Sequence, residues 1–325
     1  MSDVAAALWT TAAIVCALRS REHDGWALGA GAAFGMAVLV RPTDVLLAPA
    51  LALALSWRPR AVMLLALGGL PFAIFLGFWN REVYGNALST GYSGLLGHEL
   101  AWANFGPRFR HYGYWTVAQL SPLVVIGWLA APCAKHARRR DAVMLIVWFS
   151  AFFLFYCFWG PSDAWWYTRY LIPALPALIL GFLLALHALA LPRRPLVVAA
   201  ALFVVAAFEW RQYSRQNPLA VGRWQTQFRD GARAVADRAA GGNALVVSME
   251  FSGSIRFHTA LTPLRWDFLT PEDFGLVRTR AAEKGWPIYA LMLPQEVEPA
   301  APRVPGAWRF LGNVRRASLW ELPPP

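Results

Sequence analysis

Between two apolar runs the chain reads Gly160-Pro-Ser-Asp-Ala-Trp-Trp-Tyr-Thr-Arg-Tyr-Leu-Ile-Pro-Ala-Leu-Pro176. This stretch brings a carboxylate (Asp163), three aromatic rings (Trp165, Trp166, Tyr167) and a guanidinium (Arg169) together at the end of a hydrophobic segment. An arginine held there has the planar fork that grips a phosphate, and a lipid-linked anion is the natural ligand at a membrane surface. The competing reading makes Arg169 a snorkelling anchor or the partner of Asp163, and the aromatics an interface belt. Asp163 itself could orient Arg169, coordinate a metal, or be a solvated loop acid.

Three other places carry similar chemistry. The stretch 80–112 holds Tyr92, His98, Glu99, Arg108, Arg110 and His111 among Gly85, Gly91, Gly94, Gly97 and Gly106, enough glycine for a loop that closes over a ligand. Arg108 and Arg110 precede an apolar run, where they can grip a lipid headgroup. His98-Glu99 is a weak metal signal, because adjacent residues need not aim at one centre. Arg41 and Asp44 flank Pro42 between two apolar runs, which reads as an ion pair capping a hairpin. Asp3 stands at the start of the first apolar run, where an N-cap is the plain expectation.

The elements that must position these residues are membrane helices. Of 325 residues, 57% are hydrophobic and 15% charged, and the mean hydropathy is +0.39. Soluble chains average about 45–50% apolar and about 25% charged. The net charge of +11 lies largely in turns between apolar runs, which points to topology and lipid and away from nucleic acid. Cys16, Cys133 and Cys157 lie in or beside those runs without metal-ligand spacing or a disulfide framework, as small packing residues do. Apolar runs near 3–18, 26–40, 44–57, 61–79, 113–132, 142–159, 170–191 and 196–210 predict a polytopic α-helical membrane protein of about eight spans.

Alternate turns differ in charge. One set holds Arg19, Arg21, Arg58, Arg60, Lys135, Arg138, Arg139, Arg140, Arg193 and Arg194; the other holds only Arg41, Arg81, Arg108, Arg110 and Arg169. The richer set belongs in the cytoplasm, so 41–44, 80–112, 160–169 and everything past 210 face outward. No basic n-region precedes the first run, so no signal peptide is expected. The glycines at 25, 29, 31 and 35 predict close helix packing.

Residues 1–210 form the membrane domain and 211–325 a small extracytoplasmic α/β domain. In the latter, Val221, Trp224, Phe228, Ala232, Val235 and Ala239 recur at helical steps. Ala244–Ser248, Pro287–Leu293 and Ala317–Leu322 read as strands, and Thr270-Pro-Glu-Asp273 as a capped helix start. Neither a glycine-rich dinucleotide loop nor a phosphate-binding Walker loop is present.

Met1-Ser-Asp-Val-Ala, Gly31-Ala-Ala-Phe-Gly-Met-Ala-Val-Leu-Val-Arg-Pro42, Thr90-Gly-Tyr92 and Trp166-Tyr-Thr-Arg-Tyr-Leu-Ile-Pro173 occur in an order and spacing that resembles the GT-C class of membrane glycosyltransferases. The likeness is to family-39-like bacterial enzymes related to protein O-mannosyltransferases and aminoarabinose transferases, and covers about residues 1–190. It implies transfer of a sugar from a polyprenyl-phosphate carrier to an acceptor (glycan, lipid or protein) on the outer face of a bacterial inner membrane. It further implies a carboxylate as general base and cationic groups or a divalent metal at the departing phosphate. By this likeness Asp3 matches the family's second acidic position and is the catalytic candidate. Arg169, Asp163, Tyr92, Arg108, Arg110 and Arg41 become the substrate-binding candidates. The family's principal acid lies in an outer loop upstream of the matched region, so the likeness implies a longer protein. Two other readings stand beside it: a non-catalytic component presenting the tail as a binding module, and a transporter of lipid-linked sugars. Transport would draw on polar residues at mid-membrane depth, for which His187 and Gln119 are the few candidates.

Orientation is open to a direct check. Alkaline phosphatase, active only outside the cytoplasm, is expected to be active when fused after residue 325 and inactive when fused within 134–140. The reverse pattern would overturn the assignment.

Overall fold

Small residues set the tightest contact of the membrane unit. Helices α2 (Gly25–Val40) and α4 (Pro59–Tyr84) run backbone against backbone because a Cβ at Gly31 would collide with the carbonyl of Leu65, and one at Gly68 with the carbonyl of Leu28. In lipid, where burying apolar surface drives nothing, such close approach is what holds helices together. A computed structural model describes residues 2–89, 100–133, 139–159, 165–188, 194–217, 220–240 and 242–323. The chain divides into two compact units, Met1–Arg215 and Gln216–Pro325.

The first unit also contains α1 (Ser2–Arg19), a 3-10 helix Pro42–Leu47 running into α3 (Ala48–Ala54), α5 (Trp102–Leu120), α6 (Pro122–Ala130), α7 (Arg139–Phe158), a 3-10 helix Trp165–Ala174, α8 (Leu175–Ala188) and α9 (Arg194–Gln216). Among the described residues five helices are long and apolar enough to cross a membrane, or six if the bent pair α5/α6 is one span. The runs 26–40 and 44–57 become shorter apolar helices, Gly25–Val40 and Pro42–Ala54. This is a polytopic helical membrane bundle.

The apolar run 113–132 contains Pro122, a residue expected to kink or start a helix, and the run is broken there. Ser121 takes φ 77° and Pro122 opens α6, so the two helices meet at 106°. Pro122 has no N–H for the carbonyl of Ala118 four residues back. The side-chain amide of Gln212 on α9 donates to that oxygen instead. The hydroxyl of Thr168 donates to Gln119 Oε1 at 2.8 Å, and Ser121 Oγ accepts from the Leu123 N–H at 3.3 Å. The Ala118 carbonyl and the Gln119 side chain therefore find partners on other elements, as a break inside a membrane requires.

The second unit is a small open sheet with helices. Its elements are α10 (Val221–Arg238), β1 (Leu245–Val247), α11 (Ser252–His258), β2 (Thr262–Leu264), α12 (Pro271–Glu283), β3 (Ile288–Met292), α13 (Pro294–Ala300), β4 (Arg309–Val314) and β5 (Ala317–Leu322). The strand order is β2-β1-β3-β5-β4. β1 runs parallel to β2 and β3, while β5 is antiparallel to β3 and β4. β1 and β3 are buried on both faces, which is why they read as unbroken apolar runs. Val246, Tyr289 and Leu291 pack with Phe251 on one side. Val247, Ile288 and Ala290 pack with Trp266 and Phe274 on the other. The Thr270–Asp273 capping box forms as expected, whereas β2 and β4, short or half-exposed, left no clear sequence signal.

One buried charge ties this unit together. Glu296 is 1% exposed; its Oε1 accepts from the backbone N–H groups of Met249 and Glu250 and from Trp266 Nε1, at 3.0, 3.2 and 3.1 Å. Its Oε2 accepts from the Leu293 N–H at 2.9 Å. Glu296→Ala strands these donors, each costing about 1–3 kcal/mol. A large fall in the urea midpoint of this unit is therefore expected in pulse proteolysis of the full chain in detergent, with Glu296→Gln intermediate. An unchanged midpoint for Glu296→Ala would refute the role.

Candidate functional site

A proline creates the site. Pro42 disfavours helical backbone at the residue before it, and Arg41 sits at φ −152°, ψ 107°, ending α2 while its N–H still reaches the Ala37 carbonyl at 2.8 Å. The 3-10 turn then restarts the helix, with the Asp44 N–H on the Arg41 carbonyl at 2.9 Å. The extended residue sends its side chain toward the start of α1. There Arg41 Nη1 donates to Asp3 Oδ1 at 2.9 Å, the two side chains being 11% and 16% exposed. Arg41 Nη2 donates to Tyr156 Oη on α7 at 2.9 Å, and that hydroxyl donates to Thr43 Oγ1 at 2.9 Å.

Two rings frame the guanidinium. Tyr156 and Tyr170 stack with centroids 5.1 Å apart at 16°. Arg41 Cζ lies 5.5 and 5.0 Å from these two centroids. Arg169, an exposed residue of the 3-10 helix, lies 5.5 Å from the Tyr170 ring. Cation–π attraction thus draws both arginines to one aromatic pair. The buried hydroxyl of Thr10 donates to the Pro173 carbonyl at 2.9 Å, fixing α1 to the 3-10 segment and hence Asp3 relative to Arg169.

These side chains open onto a cavity of ≈ 540 Å³. Its wall comes from Ser2 and Asp3 of α1, the stretch Val40–Thr43 with Val45 and Leu46, Phe155, Tyr156 and Trp159 at the end of α7, and Arg169 with Tyr170. Two guanidinium groups face one carboxylate, and that carboxylate is already paired. The excess is positive and suits an anion with several acceptor oxygens, while the aromatic wall suits an apolar or sugar portion.

Of the residues singled out in the sequence, the structure brings Asp3, Arg41 and Arg169 together. Arg108 and Arg110 do not line this cavity; both are helical, because α5 already begins at Trp102. The stretch 80–112 is accordingly shorter as a loop than expected. Tyr92 and Asp163, like His98 and Glu99, lie outside the described residues. Arg41 pairs with Asp3 and not with Asp44, as the hairpin reading had it. The 3-10 turn carries Asp44 into the bundle, fully buried, where neither carboxylate oxygen has a hydrogen-bond partner. Among the described residues no group of three or more His, Cys, Asp or Glu is placed to hold a metal. Tyr156 and Thr43 were missed. The one signal for Tyr156 was a hydroxyl inside an apolar run, which needs a partner wherever it is buried.

The whole chain superposes on ArnT from Cupriavidus metallidurans in the apo state with a TM-score of 0.52 and 17% identity, over 99% of this chain and 74% of that one. The same protein bound to undecaprenyl phosphate matches at a TM-score of 0.52 and 16% identity, with the same coverage. At this identity the likeness is one of fold. No protein-family model matches the chain, and no curated protein matches it in sequence.

The Asp3–Arg41 pair is measurable by itself. In a double-mutant cycle of Asp3→Asn and Arg41→Gln, thermal unfolding in detergent is expected to give a coupling of about 1–3 kcal/mol. Additive effects would mean that the pair does not form.

Proposed function

We propose that this chain transfers a sugar from a polyprenyl-phosphate-linked donor to an acceptor at the outer face of a bacterial inner membrane. The observation that carries the reading is the convergence of Asp3, Arg41 and Arg169 on one aromatic-walled cavity within a GT-C-type fold. That a protein of similar fold has been crystallised with undecaprenyl phosphate favours a lipid phosphate as the anion. In this reading the bundle makes about eight crossings, residues 1–210 form the transferase domain, and the α/β unit from 211 onward lies outside the cytoplasm.

The acceptor's oxygen attacks the anomeric carbon, the bond from that carbon to the carrier phosphate oxygen breaks, and the electron pair leaves on the phosphate. Arg41 and Arg169 stabilise the charge that develops there, which is where fixed donors accelerate group transfer most. Asp3 takes the acceptor's proton through the oxygen that Arg41 does not hold. The Arg41 bond to Tyr156 keeps the guanidinium in place as the Asp3 carboxylate loses its charge. A divalent metal, if used, would share the phosphate with the arginines, and Asp163 would be its carboxylate candidate. The acceptor class, whether glycan, lipid or protein, stays open.

Release of undecaprenyl phosphate from a radiolabelled undecaprenyl-phosphate sugar, in proteoliposomes supplied with envelope extract as acceptor, tests the reading. Asp3→Asn is expected to lower turnover about 10²–10⁴-fold with donor binding retained. Arg169→Ala is expected to weaken donor binding and lower turnover about 10²-fold. Wild-type rates in both variants would refute the assignment and favour a non-catalytic role.

A further inference from the structure

A second cavity of the membrane unit, ≈ 440 Å³, lies between α9 and the break of α5/α6. Val117, Ala118, Pro122 and Phe208 form an apolar wall, and Arg211, Arg215 and Tyr114 bring polar ends to it. No carboxylate lines it. Arg211 and Arg215 stand one turn apart on the same helix face, both exposed, and neither has an ion-pair partner among the described residues. Between them Gln212 is engaged with the Ala118 carbonyl, which fixes the rotation of α9 and keeps the two guanidinium groups beside the groove.

The helix they belong to needs something to lie against. Pro195–Gln216 is apolar enough to cross a membrane, yet no residue of its apolar window is fully buried, and Val198, Ala201 and Val205 are only partly covered by the bundle. A wedge between such a helix and its neighbours within a bilayer is filled by lipid. Two cations at its polar end select for a negative headgroup.

We propose that this wedge is a binding site for an anionic glycerophospholipid, with the headgroup phosphate between Arg211 and Arg215 and an acyl chain along Val117, Pro122 and Phe208. The phosphodiester offers acceptor oxygens to both guanidinium groups, and the chain fills the gap that the bent helix leaves. The bound lipid thereby joins α9 to the α5/α6 break, where protein alone supplies the Gln212 bond. The site is separate from the Asp3–Arg41–Arg169 cavity and shares no residue with it.

The test is native mass spectrometry of the full chain released from detergent, titrated with dioleoyl phosphatidylglycerol, dioleoyl phosphatidylcholine or undecaprenyl phosphate. Wild type is expected to retain one phosphatidylglycerol about 30-fold more tightly than phosphatidylcholine. Arg211→Gln with Arg215→Gln should abolish that preference, and Arg211→Lys with Arg215→Lys should keep most of it. Arg139→Gln with Arg140→Gln, two exposed membrane-edge arginines, should leave it unchanged. Equal retention of both phospholipids by wild type, or an equal loss in the 139/140 variant, would overturn the proposal, since the arginines would then act only as diffuse interfacial charge. Displacement of phosphatidylglycerol by equimolar undecaprenyl phosphate would overturn it too, by making the wedge a carrier-lipid site. If the double glutamine variant does not fold, the wild-type preference and the lysine variant still decide.

Discussion

The interaction on which the geometry of the candidate site depends is the guanidinium of Arg41 held between Asp3 and Tyr156. It joins the start of α1, the end of α2 and the end of α7 at one point. An arginine so placed is costly near hydrocarbon unless its donors are met. Here one terminal nitrogen meets a carboxylate and the other a phenol, and two tyrosine rings lie beside the charge. A guanidinium has five N–H donors, so these bonds leave capacity for a ligand. The same group can therefore hold three helices in register and still face a cavity.

Proline governs two irregular points of this unit, in different ways. Pro42 acts on the residue before it, turning Arg41 out of the helix and toward Asp3. Pro122 acts on the residue four before it, leaving the Ala118 carbonyl for Gln212. In each case a break that would be expensive in lipid is compensated by a side chain from a distant part of the chain. The compensation fixes geometry: the first break opens the cavity that Asp3, Arg41 and Arg169 line, and the second ties α9 to the break. In the α/β unit Glu296 plays the corresponding part, since one buried carboxylate satisfies backbone groups at the ends of β1 and β3.

Much of the architecture was legible in the residues alone. The membrane class follows from composition, and among the described residues the apolar runs fall on helices, some single and some broken in two. The Thr270–Asp273 box, Leu245–Val247, Ile288–Met292 and Ala317–Leu322 were readable because capping and two-faced burial are local signals in the chain. Pro122 signalled a kink or helix start, but the sharpness of the bend at Ser121 was less legible, as was the helical state of Arg108 and Arg110 among surrounding glycines. Strands β2 and β4 escaped because pairing with neighbours, and not their own pattern, makes them strands.

Residue types and spacing by themselves determined that arginines and acids would stand at the ends of apolar helices, since hydrophobicity and proline act over a few residues. Only the tertiary structure decided which of them meet. Asp3 and Arg41 are 38 residues apart and Arg41 and Tyr156 are 115 apart, so their pairing depends on how helices pack. Asp44, three residues from Arg41, looked the nearer partner in sequence and is not the one chosen. An ion pair is made by the direction of two side chains in space, and at Arg41 the proline that follows sets that direction.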